Sequence, residues 1–163
     1  MVTEATRKHY ENILHVFGHN VRRVRENRQY SYLDLERLSG YSRQYISSLE
    51  LGEKDIQLST AVKIARALNI PFPKLFSRAF DTDLSVMREE FMDDDFLLVF
   101  STNVRKHLAA VGMKEIHIYM ETGMDTATIN RTLNKRTSDP RISSLAKIAA
   151  GVGLDLNDLL NRT

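Results

Sequence analysis

The chain contains no cysteine and no tryptophan among its 163 residues. Without cysteine it forms neither disulfides nor zinc–thiolate sites, and this absence suits a reducing compartment. Its longest apolar run is FLLVF at 96–100, far short of the roughly 20 residues that a membrane helix needs. The first residues mix charges and show no apolar stretch followed by a cleavage pattern, so no secretion signal is expected. These absences predict a cytoplasmic protein with no membrane partner.

The motifs of common enzymes are also missing from the sequence. It has no G-x-S-x-G, no Walker loop, no G-x-G-x-x-G and no cysteine nucleophile. His15 and His19 form only half of a zinc site, since no third ligand stands at a suitable spacing. The aspartates at 93–95 are better explained by a helix start, where negative charge is favourable, than by a metal ion. We therefore expect no enzyme, no metal and no cofactor, while a small-molecule ligand stays open.

The charge is unevenly distributed along the chain. Residues 1–79 carry 13 Lys and Arg against 8 Asp and Glu, residues 80–95 carry 1 against 7, and residues 96–163 carry 9 against 6. The three net charges are +5, −6 and +3, within an overall charge of +2. Two basic blocks around an acidic connector suit two modules that face nucleic acid.

The two basic blocks are related in sequence. FGHNVRRVRENR (17–28) aligns with FSTNVRKHLAAV (100–111) at an offset of 83, and Gly40 then falls on Gly123. After one inserted residue, STAVKIARAL (59–68) aligns with SSLAKIAAGV (143–152). A long repeat that occurs only twice indicates two copies of one small domain and not a solenoid. We expect domains at 1–79 and 96–163, joined by an acidic connector at 80–95 with helical spacing of its apolar residues.

Each copy has the pattern of five helices and no strand signal, which predicts an all-α protein. The first copy is expected to form a helix ending near Arg28, then helices at 32–39, 43–50, 58–68 and 71–76. Ser31 and Ser42 are suitable N-caps, and Gly40 suits the left-handed turn between the second and third helices. Gly123 and Asp125 play the same parts in the second copy.

A tight glycine turn between two short helices is typical of the helix-turn-helix. The residues SYLDLERLSGYSRQYISSLELG, followed by LSTAVKIARAL, resemble the lambda-repressor/Cro-like (XRE) DNA-binding domain over nearly the whole first copy. The chain departs from that family at Glu36, where a small residue is usual, and at Ser39, where an apolar one is usual. The resemblance implies two tandem five-helix domains of this kind, the second more divergent than the first.

In such domains the second helix of the motif lies in the major groove, and its N-terminal residues meet base edges. The resemblance implies the base readers Arg43, Gln44, Ser47 and Ser48. It also implies phosphate contacts by Ser31, Tyr32 and Tyr45. Arginine pairs with guanine and glutamine with adenine through two hydrogen bonds, each pair discriminating by about 1–3 kcal/mol. A solvated helix face is the alternative explanation of the same polar pattern.

The second copy offers fewer side chains that are suited to contact DNA bases. Its tentative DNA contacts are Thr126, Asn130 and Arg131. Glu115 stands where Tyr32 stands in the first copy, and a carboxylate there is expected to repel phosphate. Dimerisation or structural support is the alternative role of this copy.

A paired change between the copies concerns the first helix and the reading helix. By resemblance, Arg25 and Glu50 form an ion pair that links them. The second copy has Leu108 and Leu133 at these two positions. Because both members changed together, and replacing both members of a buried pair is often neutral, we expect the second copy to be a folded domain.

We conclude that the sequence predicts a sequence-specific DNA-binding transcriptional regulator, which occupies a near-palindromic operator on double-stranded DNA through the helix at 43–50. A homodimer is expected. Its candidate contact residues are Tyr10, Ile13, the connector, Leu154, Leu156 and Leu160. The alternative is a protein-interaction module, an antitoxin or adaptor, whose second domain binds a protein partner or dimerises.

Overall fold

A computed structural model describes Glu4 and residues 12–78, 95–134 and 139–161. Every regular element in these ranges is a helix, and none of these helices is long and apolar enough to cross a membrane. Tyr10 and nearly all of the connector expected at 80–95 lie outside the described residues. The chain divides into two compact units, Ile13–Asp93 and a second that includes Asp94–Thr163.

In its described residues, the first unit consists of four α-helices and a short 3₁₀ helix. These are α1 Ile13–Asn27, α2 Tyr32–Ser39, α3 Arg43–Glu50, α4 Leu58–Leu68 and the 3₁₀ helix Phe72–Phe76. A short helix was expected at 71–76, and the structure forms it as a 3₁₀ helix. It is closed by two bonds between residues three apart, from Lys74 N–H to Pro71 O and from Ser77 N–H to Lys74 O, each 3.1 Å. Such short 3₁₀ turns are common as connecting elements.

The core of the first unit is built from the apolar stripes of its helices. Its largest fully buried side chains are Phe17, Leu35, Ile46, Leu49, Ile64, Leu68 and Leu75. Phe17 of α1 stacks on Phe76 of the 3₁₀ helix with ring centroids 5.0 Å apart. Burying a side chain of this size contributes roughly 1.5–3 kcal/mol, so the short helices α2 and α3 are held mainly by the core and not by their own propensity.

A buried asparagine holds the 3₁₀ helix of the first unit against α1. Asn20 lies on α1 with 2% of its surface exposed, and its Nδ2 donates to Leu75 O and Ser77 O, both at 2.9 Å. A buried amide without partners is costly, so these two bonds specify where the last turn docks. Asn20 was not singled out from the sequence as a structural residue.

The second unit contains five α-helices in its described residues. These are α5 Phe96–Val111, α6 Glu115–Thr122, α7 Thr126–Leu133, α8 Ile142–Gly151 and α9 Leu156–Leu159. Asp95 is the N-cap of α5, and its side chain accepts from Leu98 N–H at 3.1 Å. This is the helix-start role expected for the aspartate run, of which the structure describes only this residue.

The two units share a hydrogen-bond arrangement. Asn103 of α5 donates from Nδ2 to Leu159 O at 2.9 Å and to Asn161 O at 2.8 Å, as Asn20 does in the first unit. Asn103 follows Asn20 by 83 positions, and Leu159 follows Leu75 by 84. These are the two offsets of the sequence repeat, so aligned residues make the same contacts in both units.

Three residues expected at a dimer contact lie in the core instead. Ile13 and Leu156 are each 3% exposed and Leu160 is 1% exposed. Their apolar character serves packing within the chain, and they offer no surface to a second copy. The expectation of a dimer contact at these three positions is therefore wrong.

Candidate nucleic-acid interface

The turn between α2 and α3 places the two helices of the motif. Gly40 ends α2 at φ +81° and donates its N–H to Glu36 O at 2.8 Å, in the left-handed conformation that glycine adopts without steric cost. Ser42 then begins α3, and its Oγ accepts from Tyr45 N–H at 3.1 Å. Since both ends of the turn are capped, the direction in which α3 leaves it is well defined.

The two faces of α3 differ as the sequence pattern predicts. Ile46 is fully buried and Leu49 is 2% exposed, so this face anchors the helix in the core. Arg43 and Gln44 are exposed on the opposite side, at the N-terminal end. The two remaining base readers implied by the resemblance, Ser47 and Ser48, are half-buried.

The C-terminal end of α3 is held by a buried ion pair with α1. Arg25 Nε donates to Glu50 Oε2 at 2.7 Å and Arg25 Nη2 donates to Glu50 Oε1 at 3.1 Å. The two side chains are 10% and 3% exposed. The hydrogen bond to Glu50 raises the pKa of Arg25 above its ordinary value. This bidentate geometry fixes angle as well as distance.

Tyr32 belongs to the same cluster. Its hydroxyl donates to Glu50 Oε1 at 3.0 Å, and its ring lies 4.1 Å from the Arg25 guanidinium carbon in a cation–π contact. The side chain that was expected to contact phosphate therefore joins the start of α2 to the end of α3.

Ser31 is also engaged within the protein. Its Oγ accepts from Asp34 N–H at 3.1 Å, while Ser31 N–H donates to Asp34 Oδ2 at 2.8 Å. These two bonds form a capping box at the start of α2. Ser31 is exposed, so its side chain can be reached from solvent although it is bonded within the protein.

Tyr45 turns from α3 towards the start of α4. Its ring stacks on Tyr41 with centroids 5.2 Å apart, and burial raises the pKa of its phenol. Lys54 lies with its Nζ 6.0 Å from the centre of the Tyr45 ring. Lys54 was not predicted from the sequence as a candidate site residue. Its positive charge in the loop that follows the reading helix was a signal that could have identified it.

Arg43 has a contact that the sequence did not predict. Its backbone N–H donates to Glu36 Oε1 at 3.2 Å, and its Nε lies 3.7 Å from Glu36 Oε2. Glu36 was noted only as an unusual residue at its position. The structure places its carboxylate across the turn from the first residue of α3.

The corresponding helix of the second unit carries a different set of groups. Thr126 and Arg131 are exposed, and Arg131 Nη2 donates to Thr128 Oγ1 at 3.1 Å. Asn130 Nδ2 donates to Glu115 Oε2 at 3.4 Å. Of the three tentative DNA contacts, Asn130 is therefore already bound to a carboxylate of its own unit.

Glu115 is also paired with a cation of the same unit. Arg105 Nη2 lies 3.7 Å from Glu115 Oε1. This contact reduces the repulsion of phosphate that we expected from an isolated carboxylate, and it occupies the cation. The two leucines at the positions of the first unit's ion pair, Leu108 and Leu133, are 6% and 2% exposed and contribute to the core.

The site thus consists of hydrogen-bond donors on an anchored helix. Among the residues that the structure describes, no group of three or more His, Cys, Asp or Glu is placed to hold a metal ion.

Comparison with known proteins adds independent information about the first unit. The helix-turn-helix family matches residues 21–75. The control protein C.SmaI of Serratia marcescens is 38% identical over 69 residues, which are 42% of this chain and 82% of that protein. The uncharacterized HTH-type transcriptional regulator y4dJ of Sinorhizobium fredii is 32% identical over 65 residues, which are 40% of this chain and 84% of that protein. No solved structure matches.

Proposed function

Because this chain belongs to the helix-turn-helix family, we propose that it is a sequence-specific transcriptional regulator that reads double-stranded DNA through α3. The observation that carries the proposal is the presentation of this helix. Its buried face and the ion pair at its end anchor it, while Arg43 and Gln44 stand exposed at its N-terminal end. In helix-turn-helix proteins this end meets the base edges of the major groove.

The role of each group follows from its chemistry. Arg43 pairs with O6 and N7 of a guanine, and Gln44 pairs with N6 and N7 of an adenine. Ser47 and Ser48 lie further along the same face, where a hydroxyl accepts or donates to either base. Ser31, Tyr32 and Tyr45 flank the helix at the level of the DNA backbone, where such contacts set register.

Regulation of transcription is proposed from the relatives together with the site. One matched relative is named a control protein and the other a transcriptional regulator. A protein that occupies an operator determines what else binds there, and occupancy needs no catalysis. We therefore propose a non-enzymatic regulator that acts on DNA in the cytoplasm.

The operator is proposed to be near-palindromic and bound by a homodimer. A single α3 reads only a few base pairs, and helix-turn-helix proteins reach useful specificity by binding two half-sites about one helical turn apart. Two-fold dimers are the commonest symmetric assembly.

The second unit is proposed to be a divergent copy of the first. The aligned contacts of Asn20 and Asn103 and the glycine turns at Gly40 and Gly123 support this assignment.

Selection of bound sequences from random duplex DNA tests the proposal. We expect the full chain to enrich one short motif with two-fold symmetry. The variants R43A and Q44A are each expected to relax the preference at a defined base pair of each half-site. Sedimentation of the complex gives the number of chains per duplex. Enrichment of no motif, or enrichment unchanged in both variants, contradicts the proposal.

A further inference from the structure

We propose that Glu36 is a positioning residue that directs Arg43 towards a base and away from phosphate, and so contributes to the specificity of α3. The inference rests on the proposed function. It comes from the two contacts between this carboxylate and the first residue of the reading helix, which lie on opposite sides of the turn.

The contacts hold both the backbone and the side chain of Arg43. Glu36 Oε1 accepts the Arg43 backbone N–H at 3.2 Å, which satisfies one of the N–H groups that a helix start leaves without an intrahelical partner. Glu36 Oε2 lies 3.7 Å from Arg43 Nε. One carboxylate thus caps α3 and restrains the arginine that begins it.

Glu36 approaches the guanidinium at Nε, and the arginine stays largely exposed. Arginine carries five N–H donors in a fixed fork, and the charged contact with Glu36 is recorded at Nε. The Nη groups are the donors that pair with O6 and N7 of guanine. The Arg43 side chain is 62% exposed and that of Glu36 is 33% exposed, so DNA has access to the arginine while it is in contact with the carboxylate.

The charge of Glu36 then discriminates between two kinds of DNA contact. Phosphate carries a full negative charge, and an arginine already paired with a carboxylate gains less from approaching it. A guanine edge is uncharged and offers two acceptors in the geometry of the fork. Glu36 therefore weakens binding of Arg43 to the backbone of any sequence more than it weakens binding to the correct base.

The test is the variant E36Q in the full chain. Its amide oxygen still accepts the Arg43 N–H, so the cap is kept and only the charge is lost. Binding is measured against salt concentration on the selected duplex and on a scrambled duplex of equal length. We expect scrambled DNA to bind more tightly, its salt slope to steepen by about 0.9 for one added phosphate contact, and the specificity ratio to fall about fivefold or more. The ratio is taken on one preparation, so any unfolded fraction cancels.

Two further variants separate this role from others. E26Q removes an equal charge from the exposed ion pair with Arg22, whose atoms are 3.0 Å apart, and it controls for the loss of one negative charge. In an R43A background, E36Q is expected to leave the specificity ratio unchanged. An unchanged ratio in E36Q alone, an equal effect of E26Q, or an effect that persists with R43A overturns the inference. If the wild-type chain itself prefers no duplex, the proposed function fails and the inference falls with it.

Discussion

At the end of α3, one carboxylate accepts three hydrogen bonds. Glu50 receives two from Arg25 and one from Tyr32, and Arg25 donates a further one to Tyr30 O at 3.0 Å. Removing one partner of such a buried pair leaves the other charge without compensation, whereas replacing both by apolar groups is often neutral. At the aligned positions of the second unit, the two apolar residues Leu108 and Leu133 stand in place of the ion pair.

The first prediction concerns this cluster. E50A is expected to lower the free energy of unfolding of the first unit by about 3–5 kcal/mol. The double variant R25L/E50L is expected to lower it by less, because no charge is left buried. Urea unfolding followed by tyrosine fluorescence measures this. Four of the six tyrosines, at 30, 32, 41 and 45, lie in this unit. Losses from R25L and E50L that simply add in the double variant would show that the two side chains act independently.

The ion pair between Arg25 and Glu50 could be predicted from the sequence because the family resemblance implied both residues. The contact between Glu36 and Arg43 could not be predicted in this way. Glu36 was noted only as an unusual residue at its position, and Arg43 only as a base reader. Only the geometry of the turn brings the carboxylate to the backbone N–H of Arg43. Contacts across a turn depend on rotamers that no residue pattern specifies.

At the scale of elements, α1 crosses the end of α3 at a glycine. A Cβ built on Gly18 would lie 2.6 Å from Glu50 O and would also meet Leu49 O. These are backbone atoms, which cannot rotate away as a side chain does. Any larger residue must therefore push α1 away from α3. The second unit has Ser101 at the aligned position, 3% exposed.

The second prediction compares two glycines. G18A is expected to cost roughly 1–3 kcal/mol through overpacking and to shift the backbone resonances at the end of α3. G40A places its Cβ in open space but at φ +81°, so it is expected to cost about 1–2 kcal/mol with changes confined to the turn. Thermal melts and amide chemical shifts measure both. Perturbation at the end of α3 that is equal in the two variants would contradict a steric origin.

The third prediction concerns pH and the capping box of α2. The hydrogen bonds from Ser31 hold the pKa of Asp34 below its ordinary value of 3.8. A lowered pKa means that the stabilisation is complete above 3.8 and is lost as the pH falls through the folded value. Titration by carboxyl-carbon NMR is expected to give an Asp34 midpoint below 3.8, and S31A is expected to raise it. A wild-type midpoint at or above 3.8 would show that the box does not form in solution.

The elements themselves followed closely from the sequence. The helices observed at Tyr32–Ser39, Arg43–Glu50 and Leu58–Leu68 have the predicted bounds, because capping serines and a glycine turn leave little freedom in where the first two begin and end. A short helix was also expected at 71–76, and it forms as the 3₁₀ helix Phe72–Phe76; the residue pattern did not specify which kind of helix it would be. The bonds of Asn20 and Asn103 were missed, because they join residues more than fifty positions apart.

At the scale of the whole molecule, two related sequences present different surfaces. The first block carries +5 and the third +3. On α7 the positions of Arg43 and Gln44 are taken by Thr126 and Ala127. Glu115 further engages Asn130 and pairs with Arg105, so these side chains are occupied within the second unit. The second unit therefore makes the same asparagine contact as the first unit and presents fewer side-chain donors at the aligned positions.

The last prediction is that the two units contribute unequally to DNA binding. R43A is expected to weaken binding to the selected duplex by roughly 1–3 kcal/mol, because it removes a bidentate base contact. R131A is expected to cost about a few tenths of a kcal/mol, since Arg131 is exposed and bonds to Thr128 of its own helix. Binding of both full-length variants is measured against salt concentration, with sedimentation to confirm that the oligomeric state is unchanged. A residue that contacts phosphate lowers the salt slope by about 0.9 when it is removed, so the slope of R131A separates a backbone contact from no contact. If R131A proves as damaging as R43A, α7 is a full reader, and the operator must then contain two different half-sites for each chain.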